Sequence, residues 1–352
     1  MLPAAFLPAA FLATVALSAL LIVWLRPLLQ RYALARPNAR SSHTVPTPQG
    51  GGIGVVLAAL AVSAEFLAGG HLPFADVPIL AAAAIGLGVV GAGDDLRPLP
   101  AAPRLGLQVL AVAAIVLVSG VRILPDAVPV ALERIVLVLG GVWFVNLVNF
   151  MDGLDWITVA EMVPVTGFVA ALGPLGIIPV QTALVAAALC GALVGFAPFN
   201  RPVARLFLGD VGSLPIGLIV GWLLLALAGT GAVAAAILLP LYHLVDATLT
   251  LLRRLVRREK VWEAHRSHFY QQATTNGLSA LAVSARVFGL NLVLAGLAAI
   301  SLAWPAPPVQ VACGLAGLAC VAGLLRRFGQ LRPEEPGLEG RRPDGPPAER
   351  SP

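Results

Sequence analysis

Long apolar runs alternate with short polar loops along most of this chain. Eleven of these runs reach the length of about 17–25 residues that a helix needs to cross a bilayer. They cover residues 4–25, 52–69, 76–93, 105–121, 132–148, 157–173, 179–197, 212–229, 232–252, 286–304 and 307–325. Charged residues make up only 12% of the 352 residues, against roughly 25% in soluble globular proteins. The sequence therefore predicts an all-α polytopic membrane protein with about eleven transmembrane helices.

Basic residues are concentrated in every second loop. Of the 23 Lys and Arg residues, 21 lie after odd-numbered runs or in the C-terminal tail, and the exceptions are Arg122 and Arg134. Since basic loops face the cytoplasm, we expect the C-terminus there and the N-terminus outside. Residues 1–327 are predicted to form a single transmembrane domain. Residues 328–352 are rich in Pro, Gly, Glu and Arg and are predicted to be a disordered cytoplasmic tail.

The stretch 146–155 follows the fifth run and reads Asn-Leu-Val-Asn-Phe-Met-Asp-Gly-Leu-Asp. It holds Asn146, Asn149, Asp152 and Asp155 at intervals of three residues. If the helix continues through it, neighbouring members lie on adjoining faces. The carboxylates then converge at a helix C-terminus, which already carries partial negative charge. Such a group is costly without a cation, so the stretch indicates a site for a metal, or for a diphosphate held through one.

Four further polar motifs follow odd-numbered runs, at residues 41–52, 93–95, 199–213 and 264–271. By the same parity they share one predicted face with the stretch 146–155. The loops on the opposite face are short and nearly free of ionisable groups. We therefore expect an active site at the cytoplasmic face.

Structural interpretations of these motifs stay open from the sequence alone. Asp94 and Asp95 end an apolar helix, where an acid pair is either a cation or proton-transfer site or a solvated helix end. Asp210, between two glycines, is either a helix N-cap or part of a phosphate site at the start of the eighth run. The glycines at 50–52 form either a turn or a backbone cradle for phosphate.

The loop after the ninth run carries His265 and His268 among many arginines. No Cys or further His lies near to complete a zinc site, so phosphate binding is favoured. The arginines are alternatively an anchor for anionic lipids, worth about 1 kcal/mol per residue near the surface. Inside the runs, Glu161, His243 and Asp246 are functional candidates by default, or pair with polar neighbours.

Polar residues crowd at the predicted cytoplasmic ends of the runs. A transporter is expected to place its polar site near the bilayer midplane. The pattern therefore favours an enzyme that acts at the membrane surface over a polytopic transporter or lipid flippase.

These five motifs, in this order, resemble those of the polyprenyl-phosphate N-acetylhexosamine-1-phosphate transferases of glycosyltransferase family 4. This superfamily includes phospho-MurNAc-pentapeptide translocase and the undecaprenyl-phosphate GlcNAc-1-phosphate transferases. The resemblance covers roughly residues 1–325. It is strongest with the O-antigen-initiating branch because of Asn-Phe-Met-Asp-Gly at 149–153, Asp-Ala-Thr-Leu-Thr-Leu at 246–251 and Ala-His-Arg-Ser-His-Phe-Tyr-Gln at 264–271.

The resemblance implies transfer of N-acetylhexosamine-1-phosphate from a UDP-N-acetylhexosamine to undecaprenyl phosphate, with release of UMP. Magnesium is the implied cofactor, with manganese as an alternative. The reaction would initiate cell-envelope polysaccharide synthesis of the O-antigen or lipopolysaccharide type at a bacterial inner membrane. The lipid bilayer is an expected partner, nucleic acid is not, and a homodimer is left open.

The resemblance also implies residue roles. Asp210 resembles the direct magnesium ligand, with Asn149 on the metal side, and Asp94 and Asp95 resemble the acid pair that activates the lipid phosphate. The further expected catalytic residues are Asp152, Asp155 and His268, the last as a diphosphate ligand. The expected substrate-binding residues are His43, Thr47, Gly51, Asn146, Asn149, Asn200, His265 and Arg266. Trp156 stands where the family usually has glycine, which predicts an altered wall of the sugar or nucleotide pocket.

Overall fold

A computed structural model describes residues 6–35, 46–69, 76–260 and 265–330. The helices are α1 (Phe6–Tyr32), α2 (Gly52–Gly69), α3 (Asp76–Leu96), α4 (Ala101–Ser119), α5 (Val130–Met151), α6 (Ile157–Leu172), α7 (Val180–Phe196), α8 (Asp210–Gly229), α9 (Val233–Leu238), α10 (Leu241–Val256), α11 (Phe269–Thr275), α12 (Ala280–Ala303) and α13 (Pro307–Gly329). Within the described ranges, the strands are the short antiparallel pair β1 (Leu34–Ala35) and β2 (Thr47–Pro48). The all-α membrane class is confirmed.

Every predicted run contains helix, but the runs differ in length. In the described part of the chain, 8 helices are long and apolar enough to cross a membrane: α1 to α5, α8, α12 and α13. Two others are shorter, with 16 residues in α6 and 17 in α7. The ninth run is divided into α9 and α10 at Leu239 and Pro240, because proline lacks an N–H and clashes with the preceding turn. The number of crossings and their orientation stay predictions.

The last helix is longer than expected. α13 ends at Gly329, and the buried Phe328 accepts a hydrogen bond at its carbonyl from the Asn276 side chain, at 2.8 Å. The predicted tail therefore starts at least two residues later than position 328. Its remainder from residue 331 lies outside the described residues.

Glycines on α7 let α1 approach its backbone. A Cβ atom at Gly195 would lie 2.5 Å from the Val15 carbonyl oxygen, and one at Gly191 would clash with Phe11. Between them, the Ser18 hydroxyl donates to the Ala192 carbonyl at 2.9 Å. Small residues of this kind are what close helix packing in membranes requires.

Close packing at glycines also positions the first turn of α8. A Cβ atom at Gly212 would lie 2.6 Å from the Cα atom of Gly52 on α2, and one at Gly91 on α3 would clash with the Asp210 backbone. α2 and α3 thus lie directly against the start of α8. This contact brings the end of α3, with its two aspartates, beside Asp210.

Candidate active site

A cavity of about 610 Å³ lies where α3 and α5 end and α8 begins. We call it the aspartate cavity. The sequence-predicted site residues that line it are Asp95, Asn149, Asp152, Asp155, Asn200 and Asp210. The structure therefore brings together predicted site residues from three of the motifs, 93–95, 146–155 and 199–213, which are far apart along the chain.

Asp95 caps α8 from the neighbouring helix. Its Oδ1 accepts the Asp210 N–H at 3.0 Å and its Oδ2 accepts the Val211 N–H at 3.1 Å. The next two amides of α8 donate to the Gly209 carbonyl. The N-cap interpretation of Asp210 is therefore wrong, since the cap comes from Asp95. The predicted phosphate site on these amides is also wrong, because all four are already bonded.

The carboxylate of Asp210 is held by side chains of neighbouring helices. Its Oδ1 accepts a hydrogen bond from Asn149 Nδ2 at 2.8 Å, and the same nitrogen donates to Ser213 Oγ at 2.9 Å. Its Oδ2 lies 3.6 Å from a guanidinium nitrogen of Arg104. Asn149 thus orients the Asp210 carboxylate, and its own role as a metal ligand stays a prediction.

Arg104 joins Asp94 to this group. It forms a close ion pair with the Asp94 carboxylate, whose other oxygen accepts the Leu99 N–H at 2.6 Å. Asp94 does not itself line the aspartate cavity. From the sequence, Arg104 is only one of the 21 basic residues that predict orientation. A basic residue in the first turn of the helix after an acid pair was the available signal.

The stretch 146–155 converges only in part: Asn149, Asp152 and Asp155 line the cavity although α5 ends at Met151, whereas Asn146, inside the helix, does not. Asn146 lies on another face, where its Nδ2 donates to Gln108 Oε1 of α4 at 2.6 Å and to the Val142 carbonyl at 2.8 Å. Asn146 thus links two helices and does not line the aspartate cavity, and its contact with substrate stays a prediction. Asp155 does reach the cavity, and its Oδ2 accepts the Ala204 N–H at 3.0 Å.

Asp152 lies between α5 and α6, just past the last residue of the membrane helix. The residue is half-buried, but its carboxyl group is enclosed by protein, and its pKa is raised to about 8. The largest cause is loss of hydration, which the negative charges of Asp210 and Asp95 reinforce and the hydrogen bond from the Thr158 hydroxyl opposes. A bound cation would favour the charged carboxylate and would therefore lower this pKa.

Asn200 holds two loops together at the edge of the cavity. Its Oδ1 accepts the Trp156 N–H at 2.8 Å, and its Nδ2 donates to the Leu206 carbonyl at 3.0 Å. Trp156 has a φ of 64°, the left-handed region that explains why glycine is usual there. Its indole donates to the Ala197 carbonyl at 2.6 Å and does not line the aspartate cavity. The left-handed φ therefore constrains the backbone at this position, and an altered wall of the sugar or nucleotide pocket stays a prediction.

The glycines at 50–52 form a turn. Their amides donate to carbonyls of Phe207 and Leu208 at 2.9 to 3.1 Å. The phosphate cradle is therefore wrong, because no amide of this triplet is left for a ligand. Gly51 is buried against Phe196, and Thr47 is buried in β2, so neither lines the aspartate cavity. His43 lies outside the described residues.

Residues 265–271, which we call the histidine loop, pack beside the aspartate cavity, but the two histidines do not line it. His268 is 3% exposed and stacks between His265 and Tyr270, with ring centroids 4.9 and 5.7 Å away. Of this motif, Gln271 lines the cavity, whereas His265, Arg266 and His268 do not. A direct contact of these three residues with a diphosphate stays a prediction.

Asp246 anchors this loop and was missed as a positioning residue. Its buried carboxylate accepts the Phe269 N–H at 3.0 Å and the Tyr270 N–H at 3.3 Å, and it lies 3.4 Å from His268 Nδ1. Burial and the neighbouring His268 lower the pKa of His265 to about 4. The His265 ring is therefore neutral at pH 7, and its Nδ1 accepts the Ser267 N–H at 3.3 Å.

The model of the glycosyl transferase family 4 matches residues 77–228, which include all the acidic residues of the aspartate cavity. The chain is 32% identical over 232 residues to phospho-N-acetylmuramoyl-pentapeptide-transferase of Halalkalibacterium halodurans, covering 59% of this chain and 69% of the relative.

Two further relatives are named as N-acetylglucosamine phosphotransferases. The chain is 30% identical over 239 residues to decaprenyl-phosphate N-acetylglucosaminephosphotransferase of Mycolicibacterium smegmatis, covering 60% of this chain and 58% of that relative. It is 26% identical over 283 residues to the probable undecaprenyl-phosphate N-acetylglucosaminyl 1-phosphate transferase of Bacillus subtilis, covering 74% of this chain and 76% of the relative.

Proposed function

Because the chain belongs to glycosyl transferase family 4, we propose that it transfers N-acetylhexosamine-1-phosphate from a UDP-sugar to a polyprenyl phosphate. An oxygen of the lipid phosphate bonds to the β-phosphorus of the donor, the bond from that phosphorus to the bridging oxygen breaks, and UMP leaves. The observation that carries the proposal is the aspartate cavity, where carboxylates and carboxamides from α3, α5 and α8 face one space. The names of the relatives support the substrate class.

The cavity residues suit magnesium. In the described ranges, no group of three or more His, Cys, Asp or Glu residues could hold a metal alone. Magnesium does not need one, because it usually binds through one or two carboxylates together with substrate phosphates and water. We assign Asp210 as its ligand and Asn149 as the residue that orients Asp210. Bound magnesium, or manganese, would supply positive charge to offset the negative charge of the phosphate groups on the two substrates.

The lipid phosphate needs little help to become a nucleophile. A phosphate monoester has a second pKa of about 6 and is mostly ionised at pH 7. Asp95 is occupied by the amides of α8, and Asp94 by Arg104 and Leu99. We therefore propose that this acid pair mainly positions Asp210 and Arg104, rather than removing a proton. Asp152 and Asp155 line the cavity as the remaining candidates for contact with the donor.

The setting of the reaction follows from the same proposal. We place the protein in a bacterial inner membrane, and the basic loops after odd-numbered runs support an orientation with its N-terminus outside and its active site and C-terminus in the cytoplasm. Undecaprenyl phosphate is the proposed acceptor. The proposed role is the first step of a cell-envelope polysaccharide of the O-antigen type.

The test uses membranes that contain the protein, undecaprenyl phosphate, magnesium and a panel of radiolabelled UDP-N-acetylhexosamines. We expect label in butanol-extractable lipid, with one UMP released per labelled lipid. Asp210→Asn should remain folded in detergent but lose activity by orders of magnitude, because an amide has no charge to offer magnesium. Label that crosses sealed vesicles without linkage to lipid would instead identify a transporter.

A further inference from the structure

A second cavity, of about 530 Å³, lies between α10, α11 and α13. We call it the arginine groove and define it by Val245, Leu249, Arg253, Phe269, Leu325 and Arg326. Its apolar wall comes from α10, α11 and α13, and its two cations come from the last turns of α10 and α13. The groove is thus apolar along its length and positively charged at one end.

The charge at this end is not balanced within the groove. The described residues that line it include no Asp or Glu. The guanidinium of Arg253 stacks on the Phe269 ring, 4.5 Å from the ring centroid, and a stacked guanidinium keeps its in-plane N–H donors for another partner. The neighbouring Arg254 differs, because it is buried and pairs with Glu259 at 2.9 Å.

We propose that the arginine groove binds an acidic glycerophospholipid of the surrounding membrane. The headgroup phosphate would lie at Arg253 and Arg326, and an acyl chain would lie along Val245, Leu249 and Leu325. Guanidinium groups match phosphate oxygens with charge-assisted hydrogen bonds. Basic residues at the ends of membrane helices lie at the depth of lipid headgroups.

The lipid proposed here binds at a different place from the substrate lipid, because α11 separates the arginine groove from the aspartate cavity. This helix contributes Gln271 to the aspartate cavity but Phe269 and Gln272 to the arginine groove. A phosphate held at Arg253 is therefore on the other side of α11 from Asp210. The bound lipid would instead brace α11, whose first amides are held by Asp246.

The test measures lipid binding directly, so it does not depend on transferase activity. The protein, purified in a neutral detergent, is titrated with phosphatidylglycerol or phosphatidylcholine, and bound lipid is counted by native mass spectrometry. We expect preference for phosphatidylglycerol, reduced roughly fivefold by each of Arg253→Gln and Arg326→Gln. Arg327→Gln is the matched control, because Arg327 lies in the same turn, is exposed and does not line the groove.

A second variant tests the acyl chain without changing charge. Ala322 lines the groove and is exposed, so Ala322→Phe should fill it and displace the lipid while the helices remain folded. Equal phosphatidylglycerol binding by all variants would overturn the proposal. It would also be overturned if the arginine variants raised the KM for polyprenyl phosphate at fixed lipid composition, or if binding appeared only after removal of residues 331–352. Those results would assign the groove to the substrate or to the C-terminal segment.

Discussion

At the scale of single residues, Arg104 competes for the negative charge that we assign to magnesium binding. It pairs with Asp94 and lies 3.6 Å from Asp210. We predict that Arg104→Gln lowers the magnesium concentration for half-maximal activity about threefold to fivefold, the effect of roughly 1 kcal/mol between partly exposed charges. A magnesium titration of activity measures this, with the exposed Arg97→Gln as control. A higher magnesium requirement in Arg104→Gln would contradict the competition.

Asp152 predicts a pH dependence that magnesium shifts. With a pKa of about 8, this carboxyl group is protonated below that pH when no cation is near. If its charge is needed, activity at limiting magnesium falls as the pH drops through about 8. Saturating magnesium favours the carboxylate and moves the acid limb of the profile to lower pH. Profiles of kcat/KM at two magnesium concentrations test this.

Asp152→Asn is the matched variant for the pH profile. It keeps a side chain of the same size beside Thr158 but cannot titrate near neutral pH. The variant should lose the magnesium-dependent shift of the acid limb. An unchanged shift in Asp152→Asn would assign the titration to another group.

At the scale of elements, one buried carboxylate holds the first turn of α10 in place. Glu161 lies 3.0 Å from His243 Nδ1, accepts the His243 N–H at 3.4 Å and accepts a hydrogen bond from Asn291. The first amides of α10 have no partner one turn earlier in their own helix, so Glu161 both caps α10 and links it to α6 and α12. Movement of α10 would displace Asp246, and with it the histidine loop.

Removal of this carboxylate should loosen the whole α10 segment. We predict that Glu161→Ala lowers stability by about 3 kcal/mol or more, because it leaves buried polar partners unpaired. Glu161→Gln should lose less, since its carboxamide can still accept one hydrogen bond. Thermal unfolding in detergent measures both, and Glu65→Ala on the exposed face of α2 is the control. Equal stability of Glu161→Ala and Glu65→Ala would rule out this role.

At the scale of the whole molecule, the close contact of α1 with α7 sets the tolerance for added volume. Gly191→Ala should destabilise the protein by about 1–3 kcal/mol, because its methyl group meets the α1 backbone. Gly314→Ala on α13 is the control, since a Cβ atom there meets nothing within 4 Å. The midpoint of heat-induced aggregation compares them. A Gly191→Ala protein as stable as Gly314→Ala would mean that the two helices separate easily.

The sequence predicted the class of fold because membrane crossing imposes a length and a composition on each helix. It also identified all four acidic residues that line the cavity in the described part of the chain, since carboxylates beside apolar runs need a partner. It did not predict which of these carboxylates already accept hydrogen bonds from the protein itself. The cap of α8 by Asp95 joins residues 115 positions apart, and no local pattern encodes such a contact. The sequence also did not predict that Asn146, inside α5, donates to Gln108 of α4, 38 positions away along the chain.

The contact between α1 and α7 also has a consequence for how the chain is made. The Ser18 hydroxyl and its acceptor carbonyl are 174 residues apart, so at about 5–20 residues per second a ribosome needs roughly 9–35 s to supply the partner. During that interval α1 lies in the bilayer without α7. The Thr14 hydroxyl already donates within α1, to the carbonyls of Ala10 and Phe11, whereas the Ser18 hydroxyl lacks its α7 acceptor until α7 is made. The α7-facing side of α1 therefore exposes small residues and one hydroxyl without its final acceptor. This low polarity keeps α1 compatible with lipid until α7 is inserted.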